Sequence, residues 1–266
     1  MNHPDTLVSY GASIWQRRYF WGSMVLLDLR NRYKRSILGL GWTLANPLAM
    51  TFVLCVVFCS VFGVNIRDYA PFVLSGMAFW NYLNGSVIEG CQCLYAGEAY
   101  IRSSPAPLAI YPLRQTLGLT VHFAAIFSLT LIVTILCRGF GTMWAWPCLI
   151  PAVVMLFLMC WSLATIFGFA NVFCPDVQHL SSIAMQLLFY LSPVFCPVEL
   201  LRSRGLGVLV DWNPIAQFME LIRAPLLEGR PPTLWAIGLT SFITLLTMTT
   251  AYRLLRKYER TVIFRM

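Results

Sequence analysis

The distribution of charges constrains this chain more than any other feature. Its 19 Lys and Arg and 11 Asp and Glu residues leave six long intervals without charge: 36–66, 69–88, 115–137, 139–175, 177–198 and 231–252. Each interval is long enough for a helix to cross about 30 Å of hydrocarbon, which takes roughly 20 residues. A soluble chain has no physical reason to hold its charges in narrow bands. The sequence therefore predicts an all-α polytopic membrane protein.

The cations divide unequally between the two sides of the predicted membrane. Six crossings place both termini on one side, where more than twice as many Lys and Arg residues flank the spans as on the other. Cytoplasmic flanks collect such residues, so both termini are predicted to be cytoplasmic. This rule also explains the net charge of +8, and no nucleic acid is expected as a partner. Seven spans, with 139–175 divided in two, would export the basic carboxy-terminal tail.

The predicted chain is a single transmembrane domain over 1–266 with short accessory helices. The predicted spans are 44–64, 70–92, 115–137, 144–172, 178–197 and 233–252. Aromatic and basic residues interleave in 14–35, which predicts an amphipathic helix in the membrane interface; an ordinary basic flank is the alternative. Segment 95–102 is predicted to be a short cytoplasmic helix. Segment 198–230 is too long for a turn and too apolar for a free loop, so it is predicted to form extracytoplasmic re-entrant helices.

The sequence lacks the motifs of several common chemical functions. Neither Lys34 nor Lys257 follows a glycine, so no Walker A phosphate loop exists. The 9 cysteines form no CxxC pair, which argues against a zinc site or a disulfide framework. Of the ionisable groups in the spans, only Glu89 comes close to a buried charge, and it lies near the inner end of span 2; His122 is interpreted as a packed side chain. We therefore expect neither enzymatic activity nor a cofactor in this chain, and any transport must draw its free energy from a partner.

Two rows of polar and aromatic residues follow helical spacing in predicted spans 2 and 5. The first is Ser75, Phe79, Tyr82, Ser86 and Glu89; the second includes Gln186, Phe189 and Tyr190. Polar contacts between packed helices explain both rows. The alternative is a conduit wall, because aromatic faces stack on sugar rings while weak hydrogen-bonding groups exchange partners with hydroxyls. Both interpretations remain open.

Residues 26–57 resemble the permease subunits of ABC transporters that export polysaccharides. The most specific part is the run from Arg32 to Gly39, with Trp42 and Asn46-Pro47 after it. Segments 72–80 and 190–198 extend the resemblance over essentially the whole chain. It implies a homodimer in a bacterial inner membrane, a lipid-linked polysaccharide as substrate, and two copies of a cytoplasmic ABC ATPase that bind ATP and Mg. O-antigen is the preferred polymer.

The resemblance also implies roles for individual residues. Segment 95–102 resembles the helix that couples the permease to the ATPase, with candidate contacts Tyr95, Glu98, Tyr100, Ile101 and Arg102. Substrate entrance and lipid head-group residues would be Arg30, Arg32, Lys34, Arg35, Leu38 and Gly39. The outer gate would include Pro193, Phe195, Pro197, Trp212 and Pro214. A same-fold permease for teichoic acid, capsule or a small amphipathic solute, and a self-sufficient secondary transporter, are the alternatives.

Overall fold

Helices form nearly all of the structure, a computed structural model that describes residues 7–34, 39, 41–103, 106–198, 202, 205 and 207–265. They are α1 Leu7–Gln16, α2 Arg18–Tyr33, α3 Gly41–Phe62, α4 Ile66–Gln92, α5 Glu98–Ser103, α6 Ile110–Arg138, α7 Leu149–Phe173, α8 Val177–Leu191, α9 Gly207–Trp212, α10 Pro214–Arg223 and α11 Leu234–Arg265. Short 3₁₀ turns precede α5 and α7, and a π turn follows α10. No strand occurs in these ranges, so the all-α prediction is confirmed for them.

Four helical segments in the described ranges are long and apolar enough to cross a membrane. They are Gly41–Ser60, Ile110–Arg138, Met143–Phe173 and Leu234–Glu259. The chain is therefore a multi-pass membrane protein. The other two predicted spans correspond to α4, which is more polar, and α8, whose 15 residues extend only about 22 Å at 1.5 Å each. The count of six crossings stays a prediction.

Helix α4 lies at the centre of the bundle, in contact with α3, α6, α7 and α8. Protein rather than lipid surrounds it, which is why a helix carrying Ser75 and Ser86 is stable there. Small residues bring its backbone against α7. A Cβ added to Gly90 would lie 2.8 Å from Ala164 Cα, and one added to Gly168 would lie 2.8 Å from Cys93 Sγ. Larger side chains at either glycine would separate the two helices.

The amino- and carboxy-terminal helices meet at one end of the bundle, which we call the terminal end; the other is the far end. Buried side chains from α1, α2, α5, α6, α7 and α11 form one apolar cluster there. Glu259 of α11 accepts hydrogen bonds from the Leu108 amide at 2.8 Å and from Tyr10 Oη at 3.2 Å. Burial and the nearby Glu259 charge raise the pKa of Tyr10 well above its ordinary value. Tyr10 therefore stays neutral and acts as the donor.

The observed bounds of the helices differ from the predicted ones, most clearly in the first helix and the last. The prediction of one helix over 14–35 is wrong, because Arg17 interrupts it at φ −95° and ψ 22° and separates α1 from α2. The Trp21 indole donates to Ile14 O across this break at 3.2 Å. At the other end of the chain, α11 does not stop at 252 but continues to Arg265. Its charged tail consists largely of good helix formers, so a change of polarity need not end the helix.

Candidate functional site

A cavity of about 500 Å³ opens between α2, α3, α4 and α6 near the terminal end. Arg32 and Gly39, predicted from the sequence as entrance residues, contribute to its lining. Tyr82 and Glu89, predicted as conduit residues, line the same cavity. The structure therefore joins members of two groups that the sequence analysis treated separately. Gly39 has a φ of 51°, in the left-handed region that glycine adopts freely, which explains a glycine at this corner.

Arg32 is the centre of a polar network in this cavity. Its Nη2 lies 3.3 Å from Glu89 Oε2, and its Nη1 lies 2.9 Å from His122 Nε2. Gln115 Nε2 donates to the same Glu89 oxygen at 2.5 Å. The network thus joins the last turn of α2, the last turn of α4 and the first half of α6, since each helix supplies a polar side chain where the three approach one another.

His122 extends the network to the start of α3. Its Nδ1 lies 2.9 Å from Tyr33 Oη and 3.2 Å from Thr43 Oγ1. A guanidinium only donates hydrogen bonds, so His122 Nε2 must be the acceptor from Arg32 in this arrangement. The proton of the neutral imidazole is then on Nδ1 and points at the two hydroxyls. Sequence reasoning missed this role of His122, and no local pattern around it distinguishes it from a packed histidine.

The charges of the network are partly open to solvent. The side chains of Arg32 and Glu89 are 50% and 37% exposed. Ion pairs of this kind contribute roughly 0–1 kcal/mol to stability. A second pair, Arg114 with Asp28, lies beside it and joins α6 to α2. The arrangement is a partly exposed set of hydrogen-bond donors around one carboxylate.

The remaining conduit residues fall into two separate places. Ser75, Phe79 and Ser86 are buried inside the protomer, at 2%, 1% and 0% exposure. Gln186 and Tyr190 on α8 are exposed, whereas Phe189 packs on another part of α4, with 5.2 Å between its ring centroid and that of Trp80. Tyr82 and Glu89 of the first row line the cavity around Arg32, whereas Gln186 and Phe189 of the second row line a separate groove. Their role in a conduit stays a prediction.

A neighbouring face of α4 meets α8 instead. Met77, Trp80, Asn84 and Ile88 line a groove of about 440 Å³ together with Ser182, Met185, Gln186 and Phe189 of α8. The four α4 residues are spaced at i, i+3, i+7 and i+11, a helical repeat that was present in the sequence. Two faces of α4 satisfy this spacing, and the conduit row was predicted on the face with more hydroxyl groups.

The short helix α5 presents a charged pair on its surface. Glu98 and Arg102 form an ion pair at 2.7 Å with side chains 39% and 61% exposed. Ile101 is buried in the apolar cluster of the terminal end. The half-buried Tyr100 lies 6.2 Å from Phe20 of α2 between ring centroids, and Tyr95 is also half-buried. The exposed carboxylate and guanidinium are thus the groups that a partner can reach.

At the far end, Arg223 of α10 fastens the turn after α8 to α4. It is 7% exposed. Its guanidinium donates to Pro193 O at 2.6 Å, Val194 O at 2.7 Å and Phe72 O at 3.1 Å. A Cβ on Gly76 would lie 2.5 Å from Arg223 Nη2, so this close approach requires glycine. Sequence reasoning did not assign Arg223, although an arginine between apolar runs was a visible signal.

The other predicted gate residues lie in the turn after α8 and around the start of α10. Phe195 O accepts a hydrogen bond from Tyr69 Oη at 2.8 Å, and Pro197 lines a cavity of about 660 Å³. The exposed Trp212 lies edge-on to Trp235, 5.7 Å between ring centroids. Pro214 begins α10, where Asn213 Oδ1 caps the helix by accepting from the Ile215 amide at 2.9 Å. Gating by these residues stays a prediction.

Comparison with known proteins gives matches over most of the chain, although no protein-family model matches. An O-antigen export system permease protein RfbA of Klebsiella pneumoniae is 24% identical over 203 residues, 76% of this chain and 78% of the relative. An RfbA of Myxococcus xanthus is 26% identical over 222 residues, 82% of this chain and 84% of the relative. The polysialic acid transport protein KpsM of Escherichia coli is 18% identical over 243 residues, 91% and 94% respectively.

Over most of its length, this chain is similar to O-antigen export permeases. The comparisons therefore agree with the resemblance found in its sequence. The predicted entrance residues are only partly described by the structure: Arg30 and Lys34 are exposed at the end of α2, whereas Arg35 and Leu38 lie outside the described residues. Among the described residues, no group of His, Cys, Asp or Glu side chains is arranged to hold a metal ion.

Proposed function

We propose that this chain is the membrane-spanning subunit of an ATP-driven exporter. It moves a lipid-linked polysaccharide, with O-antigen as the favoured polymer, from the cytoplasmic to the outer side of the inner membrane. The observation that supports this most is the similarity to RfbA and KpsM over at least three quarters of the chain. The relatives are named as permease and transport proteins, and the chain has no phosphate loop of its own.

In this proposal the chain crosses the membrane six times with both termini in the cytoplasm. Helix α4 crosses at the centre of the bundle, protected from lipid by its neighbours. Helix α8 completes its crossing with the turn 192–197 that Arg223 holds. The terminal end is cytoplasmic, since it carries the basic residues of α2 and α11. The exposed faces of Trp15 and Tyr19, with the Arg18 guanidinium 4.7 Å above the Tyr19 ring, suit a membrane interface.

The free energy for transport comes from ATP hydrolysis in a partner subunit. The permease acts as a homodimer with two copies of a cytoplasmic ABC ATPase, which bind ATP and Mg. Glu98 and Arg102 of α5 contact the ATPase, while Ile101 and Tyr100 transmit the force because they pack against the rest of the terminal end. Such a contact needs an exposed charged pair on a helix that buried side chains hold rigidly in place.

Substrate passes from the terminal end to the far end. Cations on α2, among them Arg30, Arg32 and Lys34, attract the anionic head of the lipid carrier at the inner leaflet. The glycan then follows aromatic surfaces that include the exposed Tyr190. Ser75, Phe79, Tyr82 and Ser86 line this path only after the helices move, because the present arrangement buries them.

Deleting the gene tests the proposal. The deletion strain should lose its surface polysaccharide and accumulate the lipid-linked polymer inside the cell, and the wild-type chain should restore export. A matched strain with an inactive Walker lysine in the partner ATPase should show the same loss. Intact surface polysaccharide together with a lost small-molecule efflux would contradict the proposal, and so would transport by the purified chain without an ATPase.

A further inference from the structure

We propose that a groove between α2 and α6 holds one anionic phospholipid, with an acyl chain in the groove and its phosphate on Arg18. The inference needs only the membrane location of the chain and does not depend on what the protein exports. The ligand is a lipid of the bilayer itself, not a transported molecule. Bound there, it joins the first half of α2 to the helix bundle.

The groove is apolar and lies beside α6, one of the helices long enough to span the membrane. It has a volume of about 680 Å³, and its walls include Trp21, Val25 and Leu26 of α2 with Leu117, Val121 and Ala124 of α6. The serine and threonine hydroxyls of the lining are satisfied within their own helices. Ser23 Oγ donates to Phe20 O at 2.8 Å. Thr120 Oγ1 donates to Thr116 O, also at 2.8 Å. Buried water needs about two to four polar partners, so an acyl chain suits this space better than water.

The groove and the cavity around Arg32 lie on different sides of α6. On this helix the groove is lined by Leu117, Thr120, Val121 and Ala124, and the cavity by Leu119, His122, Phe123 and Ile126. At about 3.6 residues per turn, these two sets point in nearly opposite directions from the helix axis. A molecule in the groove is therefore separated from the cavity by the helix itself.

Arg18 supplies the charge at this groove. Its Cζ lies 4.7 Å from the centroid of the Tyr19 ring and 5.8 Å from that of the Trp15 ring. Both rings are exposed, and exposed Trp and Tyr side chains are typical of head-group depth. Among the described residues, Arg18 forms no ion pair and no carboxylate lines the groove. A guanidinium stacked on rings keeps its N–H edge open, and that edge fits two phosphate oxygens.

Gly22 of α2 leaves the space that the acyl chain needs. It lines the groove, and a Cβ added to it would meet no atom within 4 Å. A larger side chain at this position therefore enters the groove without displacing the protein around it. The ion pair of Asp28 with Arg114 joins the second half of α2 to α6, whereas the first half borders the groove. An acyl chain there supplies the apolar contact that the first half of α2 lacks.

Native mass spectrometry of the purified full-length chain in detergent, with added phosphatidylglycerol or phosphatidylcholine, tests the inference. The wild type should bind one phosphatidylglycerol about fivefold more tightly than phosphatidylcholine. Arg18→Gln should remove this preference, and Arg256→Gln, at an exposed position on α11, should keep it. Gly22→Leu should fill the groove and weaken binding of both lipids about tenfold. Gly11→Leu, at a helical glycine that also has open space around it, should leave binding unchanged.

Ala124→Leu fills the groove from the α6 side and should cause the same loss. A phosphatidylglycerol with a diazirine in its acyl chain should label α6 within residues 117–124. Unchanged binding by either filling variant, or labelling confined to other helices, would overturn the proposal. A preference for phosphatidylglycerol that survives Arg18→Gln would also overturn it, and misfolding cannot imitate the expected result because phosphatidylcholine binding is the internal reference. Displacement of phosphatidylglycerol by an equal concentration of farnesyl diphosphate would show that the groove takes a prenyl lipid instead, contrary to the proposal.

Discussion

Single side chains join segments of this chain that are far apart in sequence. Arg223 holds the carbonyls of Pro193 and Val194, 30 and 29 residues away, and that of Phe72, 151 residues away. Its Cζ also lies 3.7 Å from the centroid of the Phe72 ring. Buried carbonyls need donors, and the planar guanidinium satisfies several of them at once in a fixed geometry. The position of the far-end turn therefore depends on the shape of one side chain, not only on its charge.

Arg223→Lys should destabilise the protein by about 2 kcal/mol or more, because an ammonium keeps the charge but cannot reach all of these carbonyls, and buried hydrogen bonds to charged groups are worth about 1.5–3 kcal/mol each. The measurement is thermal unfolding of the purified permease in detergent. Arg67→Lys, at an exposed position, is the matched control and should leave the melting temperature unchanged. An equal melting temperature for Arg223→Lys would show that charge alone is sufficient.

At the scale of elements, the short helices α5 and α8 depend on packing against their neighbours. Helix α5 has 6 residues, too few to be stable alone, and packing of Ile101 against the terminal end holds it in place. Its exposed pair of Glu98 and Arg102 is then available to a partner. Helix α8 is also short, and it relies on α4 for its packing. Such elements depend on tertiary contacts more than on their own propensity.

Glu98→Arg should abolish export while the permease still inserts into the membrane and dimerises, because like charges across an interface cost several kcal/mol. Surface polysaccharide in the complemented deletion strain is the measurement, with dimer content followed by size-exclusion chromatography. The double change Glu98→Arg with Arg102→Glu restores the pair within the helix. If that double variant recovers export, the pair serves the helix and not the ATPase contact; normal export by Glu98→Arg alone would refute the coupling role.

At the scale of the whole molecule, the described termini meet at one end and the Arg223 turn lies at the other. The proposed six crossings put every link between helices on a defined side of the membrane. The link between α7 and α8 contains the exposed Cys174 and belongs on the cytoplasmic side. The exposed Arg67 lies in the first turn of α4, directly after the link between α3 and α4, and this end of α4 belongs outside.

A single-cysteine variant that retains only Cys174 should resist a membrane-impermeant maleimide in spheroplasts and react after permeabilisation. The matched variant, with Arg67→Cys as its single cysteine, should react in intact spheroplasts, because the first turn of α4 faces outwards. Labelling is read on a gel by mass shift. The proposed orientation would be contradicted if Cys174 reacted in intact spheroplasts. It would also be contradicted if a green fluorescent protein fused to the carboxy terminus were not fluorescent.

The sequence alone determined the chemical class of this protein. Charge bands and apolar length are local properties of the chain, so the membrane location, the helical fold and the position of most helices follow from them. The absent phosphate loop and the motif around Arg32 and Trp42 are local as well, and the similarity to O-antigen export permeases agrees with what they indicate. The prediction of one helix over 14–35 was wrong because the break at Arg17 has no strong local signal such as proline.

Which polar side chains come within hydrogen-bond distance depends on how the helices pack in the tertiary structure. Arg32 and His122 are 90 residues apart in the chain and 2.9 Å apart in space, a relation set by how α2 and α6 pack. The same holds for the face of α4 that meets α8, since two faces of that helix have suitable spacing. Helical periodicity defines the faces of a helix, but the contacts between helices depend on side chains distant in sequence. The cavity around Arg32 is therefore a property of the packed bundle.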